Sequence, residues 1–209
     1  MNSSLILYLL VPVAFLIGSI PFGLIFTRSS GVDLRSTGSK NIGATNVLRS
    51  VGKVPAILTL LSDGLKGATP VIICNYLLSI NNLEISTGEL WLSAVGLSAV
   101  LGHMFSVFLG FKGGKGVATG IGVIAAYSPP VSLMMIGIWI LIAIVSRYSS
   151  LAALTAVSSL PFIYIIKGES AVTISFGIIL SALIIFKHKT NISNLLSGKE
   201  SKIGKGKGK

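Results

Sequence analysis

Seven uninterrupted apolar runs, joined by short polar stretches, make up most of this chain: Leu5–Phe26, Val54–Leu78, Leu90–Phe111, Gly116–Tyr127, Val131–Val145, Leu151–Ile166 and Ala171–Phe186. Runs of this kind show no alternation of apolar and polar residues, so they read as helices rather than half-buried strands. Only 11% of residues are charged, against about 25% in an average soluble domain. With a mean hydropathy of +0.86, a chain of this size cannot hide its apolar surface from water. The bilayer must be its solvent, and there only helices or closed barrels satisfy the backbone. The expected fold is an all-α polytopic membrane protein with about seven transmembrane helices. Several late runs are near 15 residues, short of the roughly 20 needed for a full crossing. Gly116–Tyr127 is the weakest, and pairing it with the next run as a re-entrant hairpin would leave five spans. Either count places the two termini on opposite sides.

The cations set the orientation. Arg28, Arg35, Lys40, Arg49 and Lys53 fall in one polar stretch, and Ser79 to Glu89 holds no Lys or Arg. Lys112 and Lys115 follow, then an uncharged turn at Tyr127–Pro130, then Arg147. Lys167 is next, and Lys187, Lys189, Lys199, Lys202, Lys205, Lys207 and Lys209 lie beyond the last run. Fifteen of the seventeen cations thus share one side; Lys167 lies opposite and Lys66 lies within a span. By the positive-inside rule that side is cytoplasmic, with the N-terminus outside and the C-terminus inside. No cation precedes the first run and no small-residue cleavage site closely follows it, so it reads as a retained span.

No internal repeat stands out. Residues 1–198 read as a single transmembrane domain and residues 199–209 as a basic, disordered Gly/Lys tail. A net charge of +11 would suit nucleic acid, but the apolar spans assign it to membrane topology, and no nucleic-acid partner is expected. The lone cysteine, Cys74, lies in an apolar run and cannot form an intramolecular disulfide. With two His and six carboxylates scattered along the chain, neither a metal nor a cofactor is expected.

Three polar segments do not read as ordinary loops. Ser36 to Arg49 is rich in Gly, Ser, Thr and Asn, including Ser39, Asn41 and Asn46. Glycines let backbone amides approach an anion, and Arg49 adds a bidentate phosphate donor. A flexible linker would share this composition, but Ile42, Val47 and Leu48 imply packing. Gly110 to Gly120 contains Gly113, Gly114, Lys115 and Gly116 and resembles a phosphate-cradling loop at a helix start. It is not a Walker A motif, because Gly116 follows the lysine and Leu109 stands where the first glycine belongs, so nucleotide hydrolysis is not indicated. Gly116 and Gly120 also have small-x-x-x-small spacing for helix packing. In the third segment, Lys187 to Ser193, His188 and Asn191 share a face if helical; a plain juxtamembrane basic cluster is the alternative.

Two further groups lie inside spans. Asp63 and Lys66 are three residues apart, and charges at that depth should pair or face the interior. His103 reads equally as a satisfied core histidine or as a functional one. Ala94, Ser98 and Gly102, four apart, read as helix packing. Three Gly- or Asn-rich basic segments on one face suggest a site for two anionic groups beside an apolar binding surface.

In this order and over nearly the whole chain, these segments resemble the bacterial acyl-phosphate:glycerol-3-phosphate acyltransferases, the PlsY family. The matching pieces are Gly18–Gly23, Gly38–Val47, Asp63–Gly67, Gly102–His103, Phe111–Thr119, Arg147–Leu151 and His188–Asn191, continuing through Gly198–Gly204. Departures are small: Lys40 replaces a Gly or Glu, Asn194 replaces an Arg, and the repeated Gly-Lys end is extra.

The resemblance implies seven membrane helices in the bacterial cytoplasmic (inner) membrane, with the site facing the cytoplasm. The implied reaction moves a fatty acyl group from acyl phosphate to glycerol 3-phosphate. It gives 1-acylglycerol 3-phosphate (lysophosphatidic acid) and phosphate, the first acylation of phospholipid synthesis. Membrane lipid is the setting, and no obligatory protein partner is evident. Ser39, Arg49, Lys115 and His188 are expected to be catalytic. Asn41, Asn46, Gly113, Gly114, Gly116, Ser150 and Asn191 are expected to join them in binding substrate, while Asp63, Lys66 and His103 are structural or functional within the membrane. Ser150 is preferred to Ser149 by the Arg-Tyr-x-Ser pattern.

The residues are compatible with that chemistry. Acyl phosphate is a mixed anhydride, so the hydroxyl can attack directly, and no Ser-His-Asp arrangement is needed or evident. The His-x4-Asp pair of acyl-thioester acyltransferases is missing: Phe108 and Ser193 stand five residues after His103 and His188. The departing phosphate is the expected proton acceptor, with Asp63 and His188 as protein alternatives. A transporter would call for polar groups reachable from both sides and for repeat symmetry, and a scaffold would not need Arg49 or Lys115 in Gly-rich settings.

Overall fold

A computed structural model describes residues 3–81 and 85–204, and it is all helical. The helices are α1 (Ser3–Ser19), α2 (Phe22–Thr27), α3 (Ala44–Ser50), α4 (Lys53–Ile80), α5 (Ile85–Met104), α6 (Val117–Tyr127), α7 (Pro129–Ser146), α8 (Ser149–Ile166), α9 (Ala171–Lys187) and α10 (Lys189–Leu196). Short 3-10 turns at Arg28–Ser30 and Val107–Leu109 extend two of them.

Helices make up most of each of the seven apolar runs. Five segments are long and apolar enough to cross a bilayer: Leu5–Ser30, Lys53–Ile80, Thr87–Leu109, Pro129–Ser146 and Ser149–Ile166. A sixth is α9, taken together with α10 across a bend of 64°. Helix α6 has 11 residues, about 16 Å of rise, which is half the hydrocarbon thickness.

The first run is not one helix. Pro21 has no N–H to continue the ladder, so α1 stops at Ser19 and α2 restarts at Phe22. The carbonyl of Ile20, freed by the break, accepts from Lys66 Nζ at 2.7 Å. The Lys66 ammonium also meets Asp63 Oδ1 at 2.8 Å, so the paired charges expected inside the span are there, and Lys66 serves the fold.

Polarity is inverted relative to a soluble domain. Asp63, Lys66 and His103 are buried, while Leu133, Ile144, Val145 and Ile166 face outward. That arrangement suits lipid around the bundle. The core joins Leu7, Val95, Ala99, Val123, Leu160, Tyr164, Phe176 and Leu180. Helix α1 packs on α5, α4 on α6, and α8 on both α7 and α9. A Cβ on Gly122 would lie 2.0 Å from the Gly64 carbonyl oxygen, so α4 and α6 touch backbone to backbone. Ser98 and Gly102 take up the expected packing role against α1: Ser98 Oγ donates to the Val11 carbonyl at 2.6 Å. A Cβ on Gly102 would meet the Phe15 carbonyl.

One boundary moves. Residues 199–204, read from the sequence as part of a free tail, are docked. Lys199 and Glu200 backbone N–H groups donate to the Asn194 carbonyl, and the Ile203 N–H donates to that of Arg147. Composition suggested a solvated tail, but the chain here satisfies its backbone against the ends of α7 and α10. Residues 205–209 lie outside the described residues.

Candidate active site

The loop before α3 is organised by Asn46. Its Nδ2 donates to the carbonyls of Asn41 at 2.8 Å, Thr37 at 3.0 Å and Leu34 at 3.2 Å. Its Oδ1 accepts from the Ser39 N–H at 2.9 Å. Asn46 is buried with its polar atoms engaged, so it positions Ser39 and Asn41. The same loop leads into α3, which carries Thr45 and Arg49.

Lys115 is delivered by the glycines around it. The Gly113 N–H donates to the Met104 carbonyl and that of Gly114 to the His103 carbonyl. A Cβ on Gly113 would lie 2.0 Å from the His103 carbonyl oxygen, and one on Gly114 would lie 2.2 Å from His103 Nε2. Glycine is therefore required for this loop to lie against the end of α5. Gly116, with φ +85°, then turns the chain into α6. Gly120 meets only side chains, the nearest being Ile184, so the close small-residue approach of α6 runs through Gly122 instead.

Beyond the bend at His188, α10 places Asn191, and the docked segment after it places Glu200. Lys115 Nζ donates to Asn191 Oδ1. Asn191 Nδ2 donates to Glu200 Oε1 at 2.8 Å, and Ser150 Oγ donates to the same oxygen at 2.6 Å. Thr45 Oγ1 and Ser149 Oγ are 3.1 Å apart. Arg49 Nη2 donates to the Ser201 carbonyl at 2.9 Å, while Arg49 Nε is buried without a partner among the described residues. An orphaned guanidinium N–H is a position where an anion would be bound.

These groups converge on one cavity of about 630 Å³. Ser39, Asn41, Asn46, Arg49, Lys115, Gly116, Ser150, His188 and Asn191 line it, and so do Asp63 and His103. Gly113 lines a neighbouring pocket instead, and Gly114, packed against the His103 ring, lines neither. Lys66 is not in the wall. Sequence reasoning missed Thr45 and Glu200 and left Ser149 behind Ser150. It also gave no list for the apolar wall, where Leu60, Leu61, Leu65, Ile121, Ile136, Trp139 and Ile140 of α4, α6 and α7 meet. The cavity thus has a cationic, hydroxyl-rich end and an apolar end.

Burial pulls the Lys115 ammonium below the usual lysine range; nearby Glu200 opposes the shift and Arg49 adds to it. His188 is pushed down to about 4, chiefly by burial, with its hydrogen bond to Ile184 and nearby Glu200 opposing and Lys115 contributing. His188 Nδ1 lies 2.8 Å from the Ile184 carbonyl. A carbonyl can only accept, so Nδ1 carries the proton and Nε2 is an acceptor. Among the described residues no three metal-ligating side chains converge.

A cavity with two cations at one end and an apolar wall at the other can be set beside what comparison with known proteins finds. Residues 8–198 match the family model described as glycerol-3-phosphate acyltransferase. The chain belongs to that family. Curated relatives of that name share 45% identity over 188 residues in Geotalea daltonii (90% of this chain, 93% of the relative). In Bartonella quintana they share 47% over 193 residues (92% and 89%). The crystal structure of PlsY, an integral membrane glycerol 3-phosphate acyltransferase, in its glycerol 3-phosphate form superposes with a TM-score of 0.87 at 42% identity, covering 95% of this chain and 96% of that one. Its lysophosphatidic acid form gives 0.84 at the same identity, covering 95% of each. The family resemblance read from the motifs is therefore correct.

Proposed function

We propose that this chain transfers a fatty acyl group from acyl phosphate to the primary hydroxyl of glycerol 3-phosphate, giving 1-acylglycerol 3-phosphate and phosphate. The observation that carries this reading is the single cavity in which Arg49 and Lys115 stand at the head of an apolar groove. Two phosphates brought together repel each other, and two cations sharing that end offset the repulsion. The acyl chain then lies against Leu61, Ile136, Trp139 and their neighbours.

In the proposed step the hydroxyl oxygen attacks the acyl carbonyl carbon, and the bond from that carbon to the phosphate oxygen breaks. The electron pair leaves with phosphate, and the hydroxyl proton passes to the same phosphate. No acyl-enzyme is formed. Holding both substrates in line supplies much of the rate. His188, neutral and with Nε2 as acceptor, orients the hydroxyl rather than removing its proton. Asn191, held by Lys115 and Glu200, fixes the polar wall, and Ser39, Thr45, Ser149 and Ser150 are further donors.

The site is assigned to the cytoplasmic side of the bacterial inner membrane, with the N-terminus outside and the C-terminus inside, the short α6 counting as the seventh crossing. The one-sided cations support this orientation. Cysteines placed at exposed positions near each terminus should react with impermeant reagents from opposite faces of sealed vesicles.

The deciding experiment is phosphate release by purified protein given acyl phosphate and glycerol 3-phosphate, with acyl-CoA as a parallel donor. Glycerol-3-phosphate-dependent release with 1-acylglycerol 3-phosphate formed, and no turnover of acyl-CoA, is the expected result. Turnover of acyl-CoA at a comparable rate would overturn the choice of donor.

A further inference from the structure

A second pocket, about 340 Å³, stands back to back with the catalytic cavity. Arg35, Lys40, Ile42, Phe111, Lys112, Gly113 and Lys187 line it. Its walls are the reverse sides of the segments that build the first. Ser39, Asn41 and Gly43 line the catalytic cavity, whereas the intervening Lys40 and Ile42 line the second. Likewise Lys115 and His188 serve the first, while Lys112 and Lys187 serve the second.

Four cations share this pocket, and no carboxylate lines it. Among the described residues none of the four forms an ion pair. Four like charges gathered without a counter-charge repel one another, which a bound anion would reverse. The backbone points the same way. Only three described residues other than glycine have positive φ, and two of them, Lys40 at 56° and Phe111 at 63°, are in this pocket. That conformation is unfavourable for residues with a side chain, and it clusters at ligand sites.

The surroundings select the ligand. Phe111, in the pocket wall, and Phe108, three residues before it in the chain, are each 61% exposed. Lys187 ends α9, its ammonium lying over the Phe105 ring and donating to the Met104 carbonyl at 2.9 Å. Exposed aromatics beside cations at the end of a membrane-crossing helix suit a ligand with an anionic head and an apolar tail. We propose that this pocket binds the phosphate headgroup of an anionic membrane phospholipid, with Phe108 and Phe111 against its acyl region. The phosphate chemistry would also fit free phosphate, so the test separates the two.

Full-length protein would be reconstituted in phosphatidylcholine discs containing phosphatidylglycerol, and the phosphatidylglycerol retained per protein measured by native mass spectrometry. Arg35→Gln combined with Lys112→Gln should lower retention roughly tenfold. A charge-matched control, Lys53→Gln with Lys199→Gln, should retain it. Excess inorganic phosphate should not strip the lipid. Equal loss in both double variants would reduce the effect to net charge and overturn the proposal, as would equal retention in both. Displacement by inorganic phosphate would overturn the lipid assignment in favour of the free anion. If the double variant fails to fold, Lys112→Gln alone, at an exposed loop position, should still lower retention measurably, and unchanged retention in it would also refute the proposal.

Discussion

Lys115 and Asn191, 76 positions apart in the chain, meet through a hydrogen bond from the ammonium to the amide oxygen Oδ1. The contact joins the glycine-rich loop before α6 to the helix after the 64° bend, so two segments far apart in the chain meet in one cavity wall. Asn191 passes the connection on to Glu200, which also receives Ser150.

Lys115→Ala removes one of the two cations proposed to face the phosphates. Loss of a preorganised charge donor should lower kcat/KM by about 10²-fold or more. Arg49→Lys should cost nearly as much, because an ammonium cannot reproduce the fork whose Nε has no partner. Steady-state kinetics on the purified variants check both, and a Lys115→Ala enzyme within a few-fold of the parent would sink the assignment.

His188 gives a pH prediction with a definite sign. Its folded value of about 4 is below the ordinary 6.5. As pH falls from 6.5 toward 4 the unfolded chain takes up a proton that the folded chain refuses, so stability is full above 6.5 and declines through that window. The loss from this group approaches about 3 kcal/mol at the acid end. The thermal midpoint of His188→Asn should therefore fall less steeply between pH 6.5 and 4 than that of the parent. The kcat/KM profile should have no limb near 6.5 belonging to His188; a limb that vanishes in His188→Asn would make it the base.

Glu200→Ala strips Ser150 Oγ and Asn191 Nδ2 of a shared acceptor in a part-buried network. Unsatisfied buried donors cost about 1–3 kcal/mol each, so the variant should melt earlier. Activity should fall as well, since Asn191 would lose one of its two anchors. Glu200→Gln keeps an acceptor oxygen and should recover most of the melting temperature. Equal melting of all three proteins would show that Glu200 holds nothing.

Glu200 also marks where sequence reading ran out. Arg49, Lys115, His188 and Asn191 could be picked out because a cation or amide in a Gly- or Asn-rich break between apolar runs needs a reason. Glu200 sits in a lysine-rich terminal stretch, and composition there favours solvation. The apolar runs predicted the helices well, because in lipid the backbone must be helical wherever the side chains are apolar. The break at Pro21 was less visible, since its cost is offset by a Lys66 contact 46 residues away. The acyl wall was not legible residue by residue, because Leu60, Ile136 and Trp139 look the same in sequence whether they face a cavity or lipid.

That wall carries the last prediction. Ala68 of α4 and Ala125 of α6 line the apolar part of the cavity. A large side chain at either place fills the groove from the side, while the cationic end, with Arg49 and Lys115, is left unchanged. Each methylene displaced from an apolar surface costs about 0.8 kcal/mol, so excluding two or three methylenes should lower kcat/KM by roughly 10- to 100-fold. Ala125→Phe should therefore show this loss with a long-chain acyl phosphate and little loss with a short-chain one. Kinetics with a series of acyl phosphates at fixed glycerol 3-phosphate measures it. A uniform loss at every chain length would mean that the substitution disturbs α6 packing, and no loss at any length would place the acyl chain elsewhere.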